Sequence, residues 1–319
     1  MEKADRTAAY RPRVGIDLGG TKIAGIVIGD DGKTIAEARC NTPKGDYQQT
    51  ISAISALATE LTAQSYRGAS VGIGIPGSIS PATGRVQNAN STWLNGRPFK
   101  EDIEAALERS VRIANDANCF ALSEAADGAA AGCKSMFGVI LGTGCGGGLV
   151  IDGRIVDGPR GIGGEWGHNP LPWPDADEYP GPLCWCGRHG CLEMWVSGPG
   201  LTDDHRRSFS EELPAEVIAS KAHDGHPEAA QTLARHASRL ARGLAGIINV
   251  FDPERIVIGG GLSNMAHLYE DLPDLIAPHI FSDNKRVLVV PPAHGPESGA
   301  RGAAWLWEPI SGQDSAADT

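Results

Sequence analysis

No stretch of the 319-residue sequence approaches the roughly 18 consecutive apolar residues that a membrane-spanning helix needs. The opening MEKADRTAAYRPR also lacks the apolar segment of a secretory signal. The expected setting is therefore the cytoplasm, with no membrane partner. Positive charge is scarce: 28 Lys and Arg face 39 Asp and Glu, a net charge of -11, which excludes a surface built to neutralise a nucleic-acid backbone. Cysteine is sparse and odd in number, seven residues scattered except for one cluster. That usage suits a reducing compartment better than a disulfide framework. No low-complexity linker interrupts the chain, whose length exceeds the roughly 100 to 200 residues of one domain and predicts two.

What is present begins with paired devices. Val14 to Asp17 is a short apolar run ending in a carboxylate, and Ile23 to Ile28 is a second. Between them Leu18-Gly19-Gly20-Thr21-Lys22 reads as a glycine turn. Asp30-Asp31-Gly32 then turns into a third strand near Thr34 to Arg39. A helix is predicted over Asp46 to Gln64, a strand over Ser70 to Ile75, a helix near Pro98 to Arg109 and a strand over Val111 to Ala114. After an Ala-rich helix from about Asn118 to Ala131, the opening pattern recurs. Phe137 to Leu141, the glycine run Gly142 to Gly148, Leu149 to Ile151 and Asp152-Gly153 repeat strand, glycine turn, strand and acidic turn. Two related halves with a cleft between them are the expectation. Helices follow near Pro214 to His223, Pro227 to Ile248 and Asn264 to Ile280, with strands at Arg255 to Ile258 and Val287 to Val290. A closing helix runs from Gly299 to Trp307, and the tail after Ile310 is expected to fray.

The glycine turns suggest phosphate. In Asp17 to Lys22, Gly19 and Gly20 let backbone N–H groups face phosphate oxygens, and the adjacent Asp17 would repel them unless Mg²⁺ lay between. A plain hairpin is the simpler reading. Gly142-Thr143-Gly144 opens a second such nest, with the Thr143 hydroxyl as a further donor. Ile258 to Gly261 lies between strand and helix without dinucleotide-fingerprint spacing. Its Gly260 and Gly261 suit either a flat surface for an adenine ring or a close-packed turn. Asn115-Asp116, at a strand end, can supply an amide for one substrate hydroxyl and a base for another. Asn and Asp are also preferred helix N-caps.

The run CWCGRHGC gathers Cys184, Cys186 and Cys191, with His168 sixteen residues before Cys184 and His189 a competing nitrogen. Three sulfurs and an imidazole are a closed tetrahedral set for structural Zn²⁺, and the spacing is not that of a redox pair. Such a site would fix the backbone carrying Glu165 and Glu193 as rigid acceptors for the hydroxyls of a polar substrate.

Asp17 to Lys22, Asn115-Asp116, Gly142 to Gly148, EWGH at Glu165 to His168 and CWCGRHGCLE, in this order, resemble the ROK family of sugar kinases and repressors from about Val14 to Trp307. The resemblance implies an α/β, two-domain actin-like (ribonuclease H-like) ATPase fold with the active site in the cleft. It also implies ATP, Mg²⁺, structural Zn²⁺ and a homodimer. The small domain would comprise residues 1–116, completed by a helix over 299–319, and the large domain residues 117–298. By position, Asp116 would be the catalytic base. Asn115, Asp116, Glu165, His168, Glu193, Gly77 and Asn90 would meet the sugar. Asp17, Gly19, Gly20, Thr21, Lys22, Gly142, Thr143, Gly144, Gly260 and Gly261 would meet the nucleotide. His168, Cys184, Cys186 and Cys191 would hold zinc, with the second His168 nitrogen turned toward the sugar. Pro76 to Phe99 is most similar to bacterial fructokinases with mannokinase activity, which implies phosphorylation of fructose or mannose at the 6-hydroxyl. Family glucokinases carry Asn-Leu-Pro-Gly-Trp where this chain has Asn90-Ser91-Thr92-Trp93. The alternatives are a glucokinase or a kinase for N-acetylglucosamine or N-acetylmannosamine. From another class there is a sugar-sensing repressor, which needs a helix-turn-helix that the thirteen residues before Val14 would not hold.

Overall fold

The computed structural model describes residues 12–65 and 68–307. The expectations for residues 308–319, the fraying tail and the last part of the closing segment, lie outside this range, as does most of the polar lead. The chain divides into two compact units, residues up to Cys119 together with those from Glu297 onward, and Phe120–Pro296.

In the first unit β1 (Arg13–Leu18), β2 (Lys22–Ile28) and β3 (Thr34–Asn41) form an antiparallel meander. Its second turn closes through Gly32, whose φ of 74° is one that glycine adopts without strain. Helix α1 (Tyr47–Ser65) leads to β4 (Ser70–Ile75), parallel to β1. The small hairpin β5 (Ser78–Ile79) and β6 (Val86–Gln87) follows, and α2 (Phe99–Leu107) precedes β7 (Val111–Asn115), parallel to β4. The sheet order is β3-β2-β1-β4-β7. Ile54, Leu57 and Leu61, spaced at helical intervals on α1, bury against Val14, Ile16, Val71 and Ile73. Helix α3 (Asp116–Ala126) starts where β7 ends, and the division between units falls inside it. It stops five residues short of the expected Ala131. There the Glu124 carboxylate accepts the Ala129 N–H at 2.8 Å, a bond that replaces the next helical turn.

The second unit repeats the scheme. Strands β8 (Ser135–Leu141), β9 (Cys145–Ile151) and β10 (Arg154–Ile155) are antiparallel. Then come α4 (Glu193–Val196), α5 (Gly198–Phe209), α6 (Ala215–His223) and the 25-residue α7 (Pro227–Phe251). Strand β11 (Arg255–Gly259) lies parallel to β8, and beyond it are α8 (His267–Glu270), α9 (Leu272–Ile276) and β12 (Val289–Val290). The order β10-β9-β8-β11-β12 matches that of the first sheet. Asn264 to Ile280 was expected to be one helix but is broken into short turns, with prolines at 273 and 278 each removing a backbone donor. Helix α5 was not foreseen; Ser197 caps it, accepting the Gly200 N–H at 3.2 Å.

Beneath this unit's Pro-rich loop lies a buried ion network. Glu178 takes Arg239 at 2.7 Å and Arg242 at 2.8 Å, and Arg239 also reaches Asp204 at 2.7 Å. Burial pushes the Glu178 carboxyl up, but the hydrogen bonds from Arg242 and Arg239 more than offset it and hold the pKa at about 2. The Arg239 guanidinium also covers the Trp195 ring at 4.4 Å, which fixes α4 from below.

The chain ends its described part in the first unit as α10 (Ser298–Trp305). Its backbone lies directly on β1 and β4 because both strands present glycine there. A Cβ on Gly15 would collide with the Ala300 carbonyl and one on Gly72 with that of Ala303.

Candidate active site

Two acids define the site in the first unit. Parallel pairing places Asp17 of β1 opposite Gly74 of β4, and Gly74 opposite Ala114 of β7, so the three share one row. Asp116 follows Ala114 by two residues at the carboxyl end of β7, where open α/β sheets carry working groups. Having no side chain, Gly74 leaves room for the Asp17 carboxylate: a Cβ there would lie 3.5 Å from its Oδ1 and 3.2 Å from the buried Cys119 sulfur. Burial is the main force raising the Asp17 pKa to about 7; Asp116 adds to the rise and Lys22 opposes it. The Cys119 thiol is raised further, first by burial and then by the same two acids, so it stays protonated.

The neighbouring loops support this pair. In the turn before β2, the Gly19 N–H closes onto the Lys22 carbonyl at 3.0 Å, and the Thr42 hydroxyl donates to the Gly19 carbonyl at 2.7 Å. A Cβ on Gly19 would press on the Lys22 carbonyl, whereas Gly20 has open space around it. Neither glycine has a positive φ, so Gly20 is not demanded by the turn itself. Thr21 and Lys22 are exposed. The Asn115 side chain caps α3, its Oδ1 accepting Ala117 N–H at 2.9 Å, while its amide donates to the Gly77 carbonyl at 3.0 Å. The capping alternative for Asn115 is therefore realised. Gly77, expected to meet substrate, is buried; its φ of 72° and the Gln87 carbonyl leave no place for a Cβ. Asn90 is exposed.

In the second unit the cysteine cluster assembles as its spacing suggests. His168, Cys184, Cys186 and Cys191 bring one ligand atom each within 4.8 Å of one another. The Cys184 sulfur lies 3.6 Å from His168 Nδ1, so the donor facing the sulfurs is Nδ1 and Nε2 is the remaining nitrogen. His189 is not in the cluster; its Nδ1 lies 3.0 Å from the Gly181 carbonyl. The backbone N–H of Arg188 is the main influence lowering the Cys186 thiol to about 6, which favours a thiolate among the sulfurs. Three sulfurs and one imidazole at this spacing fit Zn²⁺.

The cluster leads directly into Glu193, the first residue of α4. Its Oε2 accepts the Cys145 N–H at 3.0 Å, and its Oε1 accepts the Trp185 indole N–H at 2.8 Å. The glycine nest and the cysteine loop thus meet on one carboxylate. A Cβ on Gly144 would sit 2.7 Å from Glu193 Oε2, which explains a glycine at that position. The Gly142 N–H turns inward to the Gly144 carbonyl at 3.0 Å, so it is engaged within the nest. Thr143 is exposed. Glu165 is also at the surface, yet lost hydration raises its carboxyl pKa; His168 opposes the rise and Glu193 adds to it. At the end of β11, Gly260 is required by packing, with a φ of 85° and the Leu141 carbonyl 2.4 Å from a would-be Cβ. Gly261 is open. The close-packed reading of Ile258 to Gly261 therefore accounts for Gly260 and not for Gly261.

Three contributors escaped sequence reasoning. Thr42 holds the first glycine turn from a distant strand end, Trp185 lies between two cysteines of the cluster, and Gly299 lies against Asp17. No short-range pattern marks the first or the last.

The profile of the ROK family matches residues 13–310. The chain is 38% identical over 296 residues to the N-acetyl-D-glucosamine kinase of Pectobacterium atrosepticum, covering 92% of this chain and 97% of that one. It is 39% identical over 297 residues to the N-acetyl-D-glucosamine kinase of Photobacterium profundum, covering 92% and 98%. Among solved structures, the ROK hexokinase from Thermus thermophilus superposes with a TM-score of 0.82 at 32% identity, covering 92% of this chain and 97% of that one. The ROK glucokinase from Streptomyces griseus, solved with glucose and AMPPNP, gives 0.73 at 27% identity, covering 92% and 98%. The two like-ordered sheets are those of the actin-like ATPase fold that these structures have.

Proposed function

Because the chain belongs to the ROK family and is an ATP-dependent sugar kinase, we propose that its acceptor is N-acetyl-D-glucosamine, phosphorylated at the 6-hydroxyl. The observation that carries the choice of sugar is the 38% identity, over nearly the whole length of both chains, to enzymes named for that activity. This replaces the fructose expectation: the relatives support the sugar-kinase class and the amino-sugar alternative, not fructokinase.

In this reading Asp116 takes the proton from the 6-hydroxyl as it attacks the terminal phosphorus of ATP. The site needs a base that is ionised at neutral pH, and the proton it accepts can pass to solvent after transfer. Asn115, Glu165, His168 and Glu193 hold the sugar hydroxyls, His168 through Nε2. Asp17 and the first glycine turn, with Thr143 and Gly144 of the second, receive the nucleotide phosphates.

Mg²⁺ fits beside Asp17, whose carboxylate is held at about 7 by burial and by Asp116 and would be relieved by a cation. When bound, the ion supplies charge neutralisation on the transferring phosphoryl group. Zn²⁺ fits the four-ligand cluster and, with all positions filled by protein, braces the loop that bears Glu193. A homodimer in the cytoplasm completes the reading.

The test is a coupled ADP-release assay across N-acetylglucosamine, N-acetylmannosamine, glucose, mannose and fructose. The expected result is the highest kcat/KM for N-acetylglucosamine. A higher value for fructose would return the assignment to the fructokinase reading.

A further inference from the structure

Trp185 is a large aromatic side chain left 66% exposed. So exposed a ring buries little apolar surface, and packing alone gives weak reason for tryptophan here. Its polar end is engaged: the indole N–H donates to Glu193 Oε1 at 2.8 Å. Its ring stands edge-on to His168, with centroids 4.8 Å apart and planes at 83°. The residue lies between Cys184 and Cys186, so the cysteine cluster fixes its backbone on both sides. Glu193 Oε2 is held independently by the Cys145 N–H.

The geometry points to Trp185 as a positioning residue that sets the carboxylate plane of Glu193. A carboxylate fixed through one oxygen still swings about its terminal torsion, which is broad. One fixed through both oxygens keeps its plane, and the second lone pair on each oxygen stays aimed at a ligand. Trp185 therefore converts the rigidity of the cysteine loop into the orientation of Glu193. This inference rests on the reading that Glu193 binds the sugar.

The experiment compares Trp185→Phe, Glu193→Ala and the double variant in the zinc-loaded, full-length enzyme. Phe keeps an aromatic side chain beside His168 and removes the N–H donor together with the second ring of the indole. Expected for Trp185→Phe is a rise of about tenfold in sugar KM, the scale of one hydrogen bond to a charged group. The KM for ATP, kcat within about twofold and zinc content by metal analysis should stay at wild-type values. In the Glu193→Ala background, Trp185→Phe should add nothing. The Trp185 indole N–H resonance, identified by its loss in Trp185→Phe, should move upfield in Glu193→Ala. An unchanged sugar KM in Trp185→Phe, while Glu193→Ala loses sugar affinity, would overturn the positioning role and leave the sugar reading intact. Loss of zinc accompanying the KM change would also overturn it, since the effect would then belong to the knuckle. A wild-type sugar KM in Glu193→Ala would overturn the sugar reading of Glu193 and the positioning role with it. In that case the indole resonance separately reports whether the hydrogen bond exists.

Discussion

The Asp17 carboxylate lies against the backbone of Gly299: a Cβ added there would stand 2.8 Å from Asp17 Cγ and 2.9 Å from Oδ2. The start of α10 therefore touches the acid assigned to the metal–nucleotide group, and glycine is what permits the contact. Gly299→Ala should push the carboxylate aside. The expected outcome is a fall of roughly 10- to 100-fold in kcat/KM for MgATP, with sugar affinity measured without nucleotide unchanged. Steady-state kinetics and a direct sugar-binding titration check both parts.

The pKa of Asp17 is raised from 3.8 to about 7, so the folded chain holds a proton there that the unfolded chain has already lost. Through this group, stability is greatest below about pH 4, declines as pH rises toward 7 and levels off above. Asp17→Asn removes the penalty. In the absence of nucleotide and divalent ions, its unfolding free energy at pH 8, read from denaturant melts, should match or exceed that of wild type, by at most roughly 4 kcal/mol, with the difference vanishing toward pH 4. Mg²⁺ should raise the wild-type Tm and leave the variant unmoved. A variant less stable than wild type at pH 8 would contradict the charge assignment.

Purified protein should contain about one zinc per chain. Cys191→Ser removes one of four ligands two residues before Glu193. Metal should be lost and sugar KM should rise, because the loop bearing Glu193 loses its brace. Less than about half an equivalent of zinc in folded, active protein would count against the site.

Glu178 joins two arginines of α7 in the protein interior. Glu178→Ala should destabilise by roughly 3 to 5 kcal/mol, since it leaves buried guanidinium groups uncompensated. With the pKa held at about 2, this support is present above the ordinary carboxylate range and disappears as pH falls through about 2. Denaturant melts at pH 7 and pH 3 should both show wild type as the more stable protein.

Most of the sheet framework was legible because it is written locally. Apolar runs ended by glycine or acidic turns gave β1, β2, β3, β8 and β9 within a few residues, and recurrence of the pattern anticipated two related halves, whose sheets share one strand order. The cluster of His168 with three cysteines was equally readable, since ligand chemistry restricts both residue type and spacing. What escaped depends on contacts distant in sequence. Gly299 meets Asp17 across most of the chain length, and Thr42 reaches the Gly19 carbonyl from the end of another strand. Asn115 shows the opposite limit: its type and position suited a sugar ligand and a helix cap equally, and only its bonds to Ala117 and Gly77 reveal the second use. Helix α5 was overlooked because Gly198, Pro199 and Gly200 at its start read as loop, whereas a proline in the first turn fits a helix beginning.

The most direct test of the proposed chemistry asks whether Asp116 removes the proton from the sugar hydroxyl during transfer. Asp116→Asn keeps the shape and the backbone contact to Ala117 but cannot accept that proton. Measured with saturating MgATP and N-acetylglucosamine, its turnover should fall by at least about 100-fold, with sugar Kd within about threefold of wild type. Turnover close to wild type would contradict the account.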